Sequence, residues 1–284
     1  MVAILTDSTC DLPTDLCQQH GILTVPQLII WGRDTLRDGI DITTDAFYKR
    51  LATAEELPST ARPTPHDIAS AYRQAREQST TGEVLFITAT SKASGTFASA
   101  QEALELVDFP VRILDSQMIS MGLGFLVLRA VDLRDQGMTP SEIEALTRSH
   151  IPQLSVFFTV ATLDFLHRGG RIGRARHLMG RALQIKPILQ LQEGQVGALE
   201  SVRTRARALK RLVELAEERL LGSAVVHLAV MHGDAPQEAQ ALAEDLRQRL
   251  APARMLHTTI SPSIGVHAGP GVVGLAMDLS PFSA

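Results

Sequence analysis

The residues best suited to chemistry in this sequence are hydroxyls, loop amides, arginines and one histidine. The run Thr88-Ala-Thr-Ser-Lys-Ala-Ser94-Gly95-Thr96 lies between a predicted buried strand over 83–88 and a predicted helix over 97–107. Its backbone N–H groups should face whatever lies above the strand end, where open parallel sheets place their ligands. A helix N-terminus attracts anions, and Gly95 permits close backbone approach. Ser94 and Thr96 add hydroxyl donors; the plain alternative is an ordinary Ser/Thr helix cap. The loop Pro58-Ser-Thr60-Ala61-Arg62-Pro63-Thr64-Pro65 has its path fixed by prolines, so it either presents Thr60 and Arg62 in a defined direction or is only a linker with a good cap. Leu166-His-Arg-Gly169-Gly170-Arg171-Ile172 sets two arginines around a glycine pair, and guanidinium forks suit carboxylate and phosphate geometry. His267, neutral or cationic near pH 7, can donate to an anion.

Several reactions are excluded by what is missing. There is no G-x-x-x-x-G-K-[ST] nucleotide loop, no G-x-S-x-G elbow and no H-E-x-x-H pair. Gly269-Pro-Gly-Val-Val-Gly274 matches G-x-G-x-x-G in form only, with neither a crossover helix nor a ribose-binding acid to follow, and reads as a turn into a final strand. Asp7 and Asp115 follow predicted strands; a lone loop carboxylate of this kind more often holds backbone amides than a metal. Cys10 and Cys17 form neither a disulfide framework nor a C-x-x-C pair. These are parts for holding an anion.

The elements that must position them alternate. Strand 2–6, a helix capped by Asp11 and stopping at Gly21, strand 22–31 broken by Pro26, a short helix capped by Thr44, a helix from Pro65, strand 83–88, helix 97–107, strand 111–114 and helices 122–136 and 140–150 predict a parallel sheet with helices on both faces. After a change near Pro152 come strand 155–160, a hairpin over 187–202 turning at Glu193-Gly194, a basic amphipathic helix 204–221, strand 225–230, helix 236–250 and strands 255–259 and 272–277. The expectation is an α/β protein of two domains, 1–151 and 152–284, the second with a mixed sheet. With 284 residues, 45% of them hydrophobic, a net charge of −4 and no apolar run near 20 residues, the chain is expected to be soluble and cytoplasmic. The charge is uneven: residues 167–211 carry +9 and the remainder −13. A nucleic acid, a phosphate ligand or an acidic partner would explain that segregation, as would the solvated faces of amphipathic helices.

Taken in order, T-D-S-T-C-D-L-P at 6–13, the 58–65 loop, S-G-T-F-A-S-A at 94–100, L-D-S at 114–116, R-G-G-R-I at 168–172, K-P-I-L at 186–189 and H-A-G-P-G at 267–271 resemble the DegV family end to end. The family includes the FakB subunit of bacterial fatty acid kinase. The resemblance implies one long-chain fatty acid held between two domains, no catalytic residue, metal or cofactor in this chain, and a separate ATP-dependent kinase subunit as partner. It implies that Thr60, Ser94, Gly95 and His267 bind the carboxylate, with Arg62 and Arg171 as further head-group or partner contacts. Where the family loop usually reads T-S-x-P-S, this chain has Thr60-Ala61-Arg62-Pro63-Thr64: the second hydroxyl is lost and a guanidinium is added. About fifteen buried methylenes at ~0.8 kcal/mol each supply ~12 kcal/mol of gross driving force. The competing reading is a nucleic-acid-binding or regulatory protein using the basic 167–211 segment.

Overall fold

The computed structural model describes residues 1–181, 185–220 and 226–279. The first half contains β1 (Ala3–Asp7), α1 (Thr14–His20), β2 (Leu23–Val25), β3 (Leu28–Trp31), β4 (Asp34–Arg37), α2 (Thr44–Leu51), β5 (Ser59–Ala61), α3 (Pro65–Gln78), β6 (Val84–Thr88), α4 (Thr96–Glu102), β7 (Val111–Asp115), α5 (Met121–Asp135) and α6 (Pro140–His150). The second contains β8 (Leu154–Thr159), α7 (Asp164–Arg168), β9 (Lys186–Gln192), β10 (Gln195–Val202), α8 (Arg205–Leu220), β11 (His227–Gly233), α9 (Pro236–Leu250), β12 (Arg254–Thr259), α10 (Pro262–Ala268) and β13 (Val272–Asp278).

Strands β2-β1-β6-β7 form a parallel sheet. Because β1 and β6 are buried on both faces, their sequences are near-continuous apolar runs rather than alternating ones. The register places Ile4 beside Leu85 and Leu5 beside Phe86. Ile4, Leu85 and Ile87 then face the core around α5, while Leu5, Val84 and Phe86 face Ile68 and Tyr72 of α3 and Ala100 of α4. Helices therefore cover both faces, as expected. The mixed sheet runs β10-β9-β8-β13-β11-β12, with only β11–β12 parallel. Helices α8 and α9 pack on one face. Helix α5 touches β1 and β6 on one side and β8 and β13 on the other, which explains why it is apolar all round instead of amphipathic.

Local signals located most boundaries to within two residues, and α6 and α9 begin and end where expected. Thr64 and Thr139 each make a full capping box ahead of a proline. Glu193 and Gly194 both have positive φ, the backbone of a tight two-residue hairpin turn. Other expectations need correction. Asp11 does not cap α1; it sits at φ 52° and its carboxylate reaches elsewhere. Thr43, not Thr44, caps α2. The helix expected over 97–107 is α4 to Glu102 followed by a 3-10 turn to Leu106. The segment 22–31 is two strands in different sheets, because Pro26 and Gln27 divert the chain into a small antiparallel sheet β4-β3-β5. Leu221 and Val225, expected to end a helix and begin a strand, and the side chain of Arg181 lie outside the described residues.

Candidate functional site

Loops from both halves meet over the ends of the sheets. The Ser94 segment leaves β6 and is braced by two aspartates. Asp7 accepts from the N–H groups of Ala89 (2.7 Å) and Thr9 (3.0 Å), and Asp115 from the N–H and hydroxyl of Ser91. Both carboxylates thus hold loop amides. Burial pushes the Asp7 carboxyl up from its ordinary range despite those bonds. The Thr90 hydroxyl donates to the carbonyl of Gly194 (3.0 Å) and so docks the β9–β10 turn onto this loop. Ser94 Oγ accepts from the Thr96 N–H (3.2 Å) and shares a 2.8 Å bond with the Thr96 hydroxyl.

Thr60 is placed by strand pairing: it lies in β5, opposite Ile29 of β3. There its hydroxyl bonds His267 Nε2 at 2.9 Å. His267 projects from α10, and its Nδ1 is buried with no hydrogen-bond partner among the described residues. Gly169, at the end of α7, lies so close to the ring that a Cβ there would sit 2.1 Å from Nδ1. Burial, with the charge of Arg171 adding to it, pushes the His267 pKa down to about 4. The imidazole is therefore neutral near pH 7, which decides between the two charge states the sequence allowed. Arg171 donates from Nε to the carbonyl of Ala93 (3.0 Å) and from Nη1 to that of Gly169 (2.7 Å), tying α7 to the Ser94 loop. Arg62 lays its stem on Gly95, where a Cβ would meet Cδ at 2.7 Å, while its guanidinium reaches Glu102 at 3.4 Å. Gly95 is needed for the approach of a side chain, not only for that of a ligand.

Thr60, Arg62, Ser94, Gly95, Arg171 and His267 all line one pocket. The rest of its wall is mainly apolar: Val156 and Phe158 from β8, Leu191 from β9, Met231 from β11, Ile264 from α10 and Val272 from β13 are representative. The space free of protein atoms is about 1020 Å³ when the solvent at its open mouth is included. Among the described residues no acidic side chain lines it, and its only charges are the two arginines. Such a site suits an anion attached to a long apolar body. The described residues contain no cluster of three or more His, Cys, Asp or Glu able to hold a metal.

Over residues 1–279 the sequence matches the profile described as "Uncharacterised protein, DegV family". The chain belongs to the DegV family. A DegV domain-containing protein of Streptomyces coelicolor is 39% identical over 277 residues, covering 97% of this chain and 98% of that one. The solved structure of a fatty-acid-binding DegV family protein from Thermus thermophilus superposes with a TM-score of 0.92 at 31% identity, covering 98% of this chain and 99% of that one. A stearic acid-binding protein from Eubacterium ventriosum superposes with a TM-score of 0.90 at 25% identity and 98% coverage of both chains.

Other residues of this DegV chain carry the site without a signal readable in the sequence. Gln27, buried, donates from Nε2 to Thr96 Oγ1 (2.7 Å) and lines the pocket. Ser263 lines it too, and donates its hydroxyl to Asp38. Part of the basic segment, by contrast, is held in ion pairs. Arg211 bonds Glu200, Glu214 and Glu218, Arg207 bonds Glu214, Arg205 bonds Glu238 and Arg174 bonds Glu193. None of the α8 arginines lines the pocket, whose charged side chains among the described residues are Arg62 and Arg171. No described helix is long and apolar enough to cross a membrane.

Proposed function

We propose that this chain binds one long-chain fatty acid, with its carboxylate at Thr60, Ser94, Gly95 and His267 and its acyl tail along the apolar wall. The observation that carries this reading is the pocket's composition: hydroxyls, a neutral imidazole and two guanidinium groups gathered at a cavity that is otherwise apolar and free of acids. Hydroxyl and amide donors to a carboxylate contribute about 1.5–3 kcal/mol each, and the tail adds ~0.8 kcal/mol per buried methylene. Fatty acid binding by the Thermus thermophilus and Eubacterium ventriosum relatives supports the same ligand class.

In this reading the domains are 1–151 and 152–284, and the ligand lies between them. The protein is a cytoplasmic carrier without catalytic residues or cofactor, binding neither nucleic acid nor membrane stably. It presents the carboxylate to a separate ATP-dependent fatty acid kinase subunit, with Arg62 and Arg171 available to the acyl phosphate or to that partner. The ion pairing of Arg174, Arg205, Arg207 and Arg211 weighs against a nucleic-acid surface.

The test is denaturing mass spectrometry of the chain purified without added lipid. A co-purifying long-chain fatty acid, in up to one equivalent, is the expected result. No acyl ligand, together with no uptake of added stearic acid, overturns the reading. Formation of acyl phosphate with a kinase subunit and ATP, measured by ATP consumption that requires both proteins, tests the carrier role separately.

A further inference from the structure

Helix α10 carries His267, Ile264 and Ala268 into the pocket, yet beyond Pro262 at its first position little in its own sequence fixes where it starts. It has seven residues, Gly265 in its interior, no acid in its first turn and no side-chain cap from Ser261. So short a helix is marginal by itself. Its first turn is instead held by two buried carboxyl groups from the other half of the chain. Asp11 Oδ1 accepts from the Ser261 N–H (2.9 Å), and its Oδ2 accepts from the Ser120 hydroxyl (2.5 Å). Asp38 Oδ2 accepts from the N–H of Ser263 (3.3 Å), from its hydroxyl, and from the Ser8 hydroxyl (2.8 Å). Tyr48 adds a 3.3 Å bond to the carbonyl of Ile260. Asp11, Asp38, Ser8 and Ser261 also line a second cavity, distinct from the lipid pocket and open to solvent.

We propose that Asp11 and Asp38 are positioning residues that clamp the first turn of α10, and that protonation of this pair controls how often α10 lifts from the pocket. The effect on ligand capture rests on the fatty acid reading above; the clamp itself does not.

The sign follows from burial. The Asp11 carboxyl is pushed up to about 7 and that of Asp38 to about 6, chiefly by desolvation and secondarily against their hydrogen bonds. The ionisable groups that interact with the pair are Asp38 with Asp11, Asp7 with Asp38, Cys10 with Asp11, and Tyr48 with both. Cys10 and Tyr48 are pushed up and stay neutral. The neighbouring carboxyl groups therefore oppose ionisation of the pair. At the far end of α10 stand neutral His267 and Arg171. Lifting the first turn admits water from the second cavity and returns each carboxyl toward its ordinary ~3.9. Opening is therefore favoured as the pair ionises. For Asp11 alone the opening equilibrium rises on the order of tenfold between pH 6 and pH 8.

Hydrogen exchange of the amides in 260–269, read by mass spectrometry on the whole chain and corrected for intrinsic pH dependence, tests this without any ligand. Wild type should lose about tenfold or more in protection from pH 6 to pH 8. The isosteric Asp11→Asn/Asp38→Asn protein, permanently neutral, should stay protected at both, and Asp38→Ala should be unprotected at both. Flat protection in wild type, or unchanged pH dependence in the double Asn protein, overturns the proposal, and the Asn protein keeps the test valid should Asp38→Ala fail to fold. In parallel, cis-parinaric acid should bind the double Asn protein within threefold of wild type and Asp38→Ala at least tenfold more weakly. Equal binding by wild type and a folded Asp38→Ala also overturns the proposal. If no protein binds the probe while the exchange pattern holds, the fatty acid reading fails and the clamp stands.

Discussion

Gly169→Ala is the sharpest perturbation of the head-group site, because it adds one methyl group and nothing else. Gly169 has φ −74° and ψ −5°, a conformation alanine adopts without strain. The new Cβ would lie 2.1 Å from His267 Nδ1 and 3.1 Å from Cε1, where ordinary contact begins at 3.4 Å. The imidazole must therefore retreat by more than 1 Å. Its Nε2 sits 2.9 Å from the Thr60 hydroxyl, and a displacement of that size takes the pair out of the position in which both face the pocket. A hydrogen bond to a charged acceptor is worth about 1.5–3 kcal/mol, so affinity for a long-chain fatty acid should fall about 10- to 100-fold. The assay is titration of delipidated protein with cis-parinaric acid, with thermal melting by circular dichroism to verify folding. Gly170→Ala is the matched control. It has no atom within 4 Å of its Cβ but φ +71°, so it should lower stability by about 1–2 kcal/mol while leaving affinity intact. A folded Gly169→Ala protein that binds within threefold of wild type refutes the placement of the carboxylate beside His267.

Ser94→Ala and Thr60→Ala should each weaken fatty acid binding by one to two powers of ten in the same titration; unchanged affinity in both would mean that the carboxylate lies elsewhere. Gly274→Val should fill the apolar wall, since a Cβ there already meets Met231 Cε at 2.9 Å and Phe158 Cβ at 3.2 Å, and the acid co-purifying with the protein should drop well below that of wild type by mass spectrometry. The Asp11 carboxyl, at about 7 folded against ~3.9 unfolded, contributes stability at low pH that is lost as pH rises through 7. Wild type should lose about 1.4 kcal/mol relative to Asp11→Asn between pH 6 and pH 8, a difference in urea midpoints that cancels the histidine contributions; a pH-independent difference refutes it. Thr64→Ala removes the side-chain half of the α3 capping box, the bonds of Thr64 Oγ1 with the Asp67 N–H and carboxylate, and should lower stability by about 1 kcal/mol in urea unfolding without touching ligand affinity.

What the sequence made legible, and what it hid, divides along a physical line. Elements whose determinants are local were readable: α3 and α6 announce themselves by Thr-Pro and an acid three residues after the cap, and the β9–β10 turn by Glu193-Gly194. The parallel sheet was readable because burial on both faces leaves continuous apolar runs. Three-residue β5 was not, since it exists only through its pairing with β3, and in isolation its prolines suggest a linker. Helix α10 was missed although Pro262 marks its first position, because its first turn is otherwise held by Asp11 and Asp38, more than 220 residues away. The charge imbalance overstates the unpaired charge of the segment, because a count ending at Arg211 stops three residues before Glu214, which pairs with both Arg207 and Arg211.

The site itself belongs to the hidden class, and this has a consequence for how it works. Thr60 and His267 are 207 residues apart in sequence, and each sits on an element that long-range contacts hold in place. The types of the pocket residues were readable, because hydroxyls, arginines and a histidine in glycine-rich loops suggest anion binding wherever they fold. Their convergence was not, and neither was the neutrality of His267, which follows from burial and the Arg171 guanidinium. A carboxylate placed there would meet a neutral ring through hydrogen bonds alone, leaving the net charge of the site to Arg62 and Arg171. Arg171 is fastened to two carbonyls, whereas Arg62 is exposed and held only by a 3.4 Å contact to Glu102, an ion pair of little strength at the surface. Of the two charges at the pocket, Arg62 is therefore the one free to swing onto whatever anion emerges from the mouth.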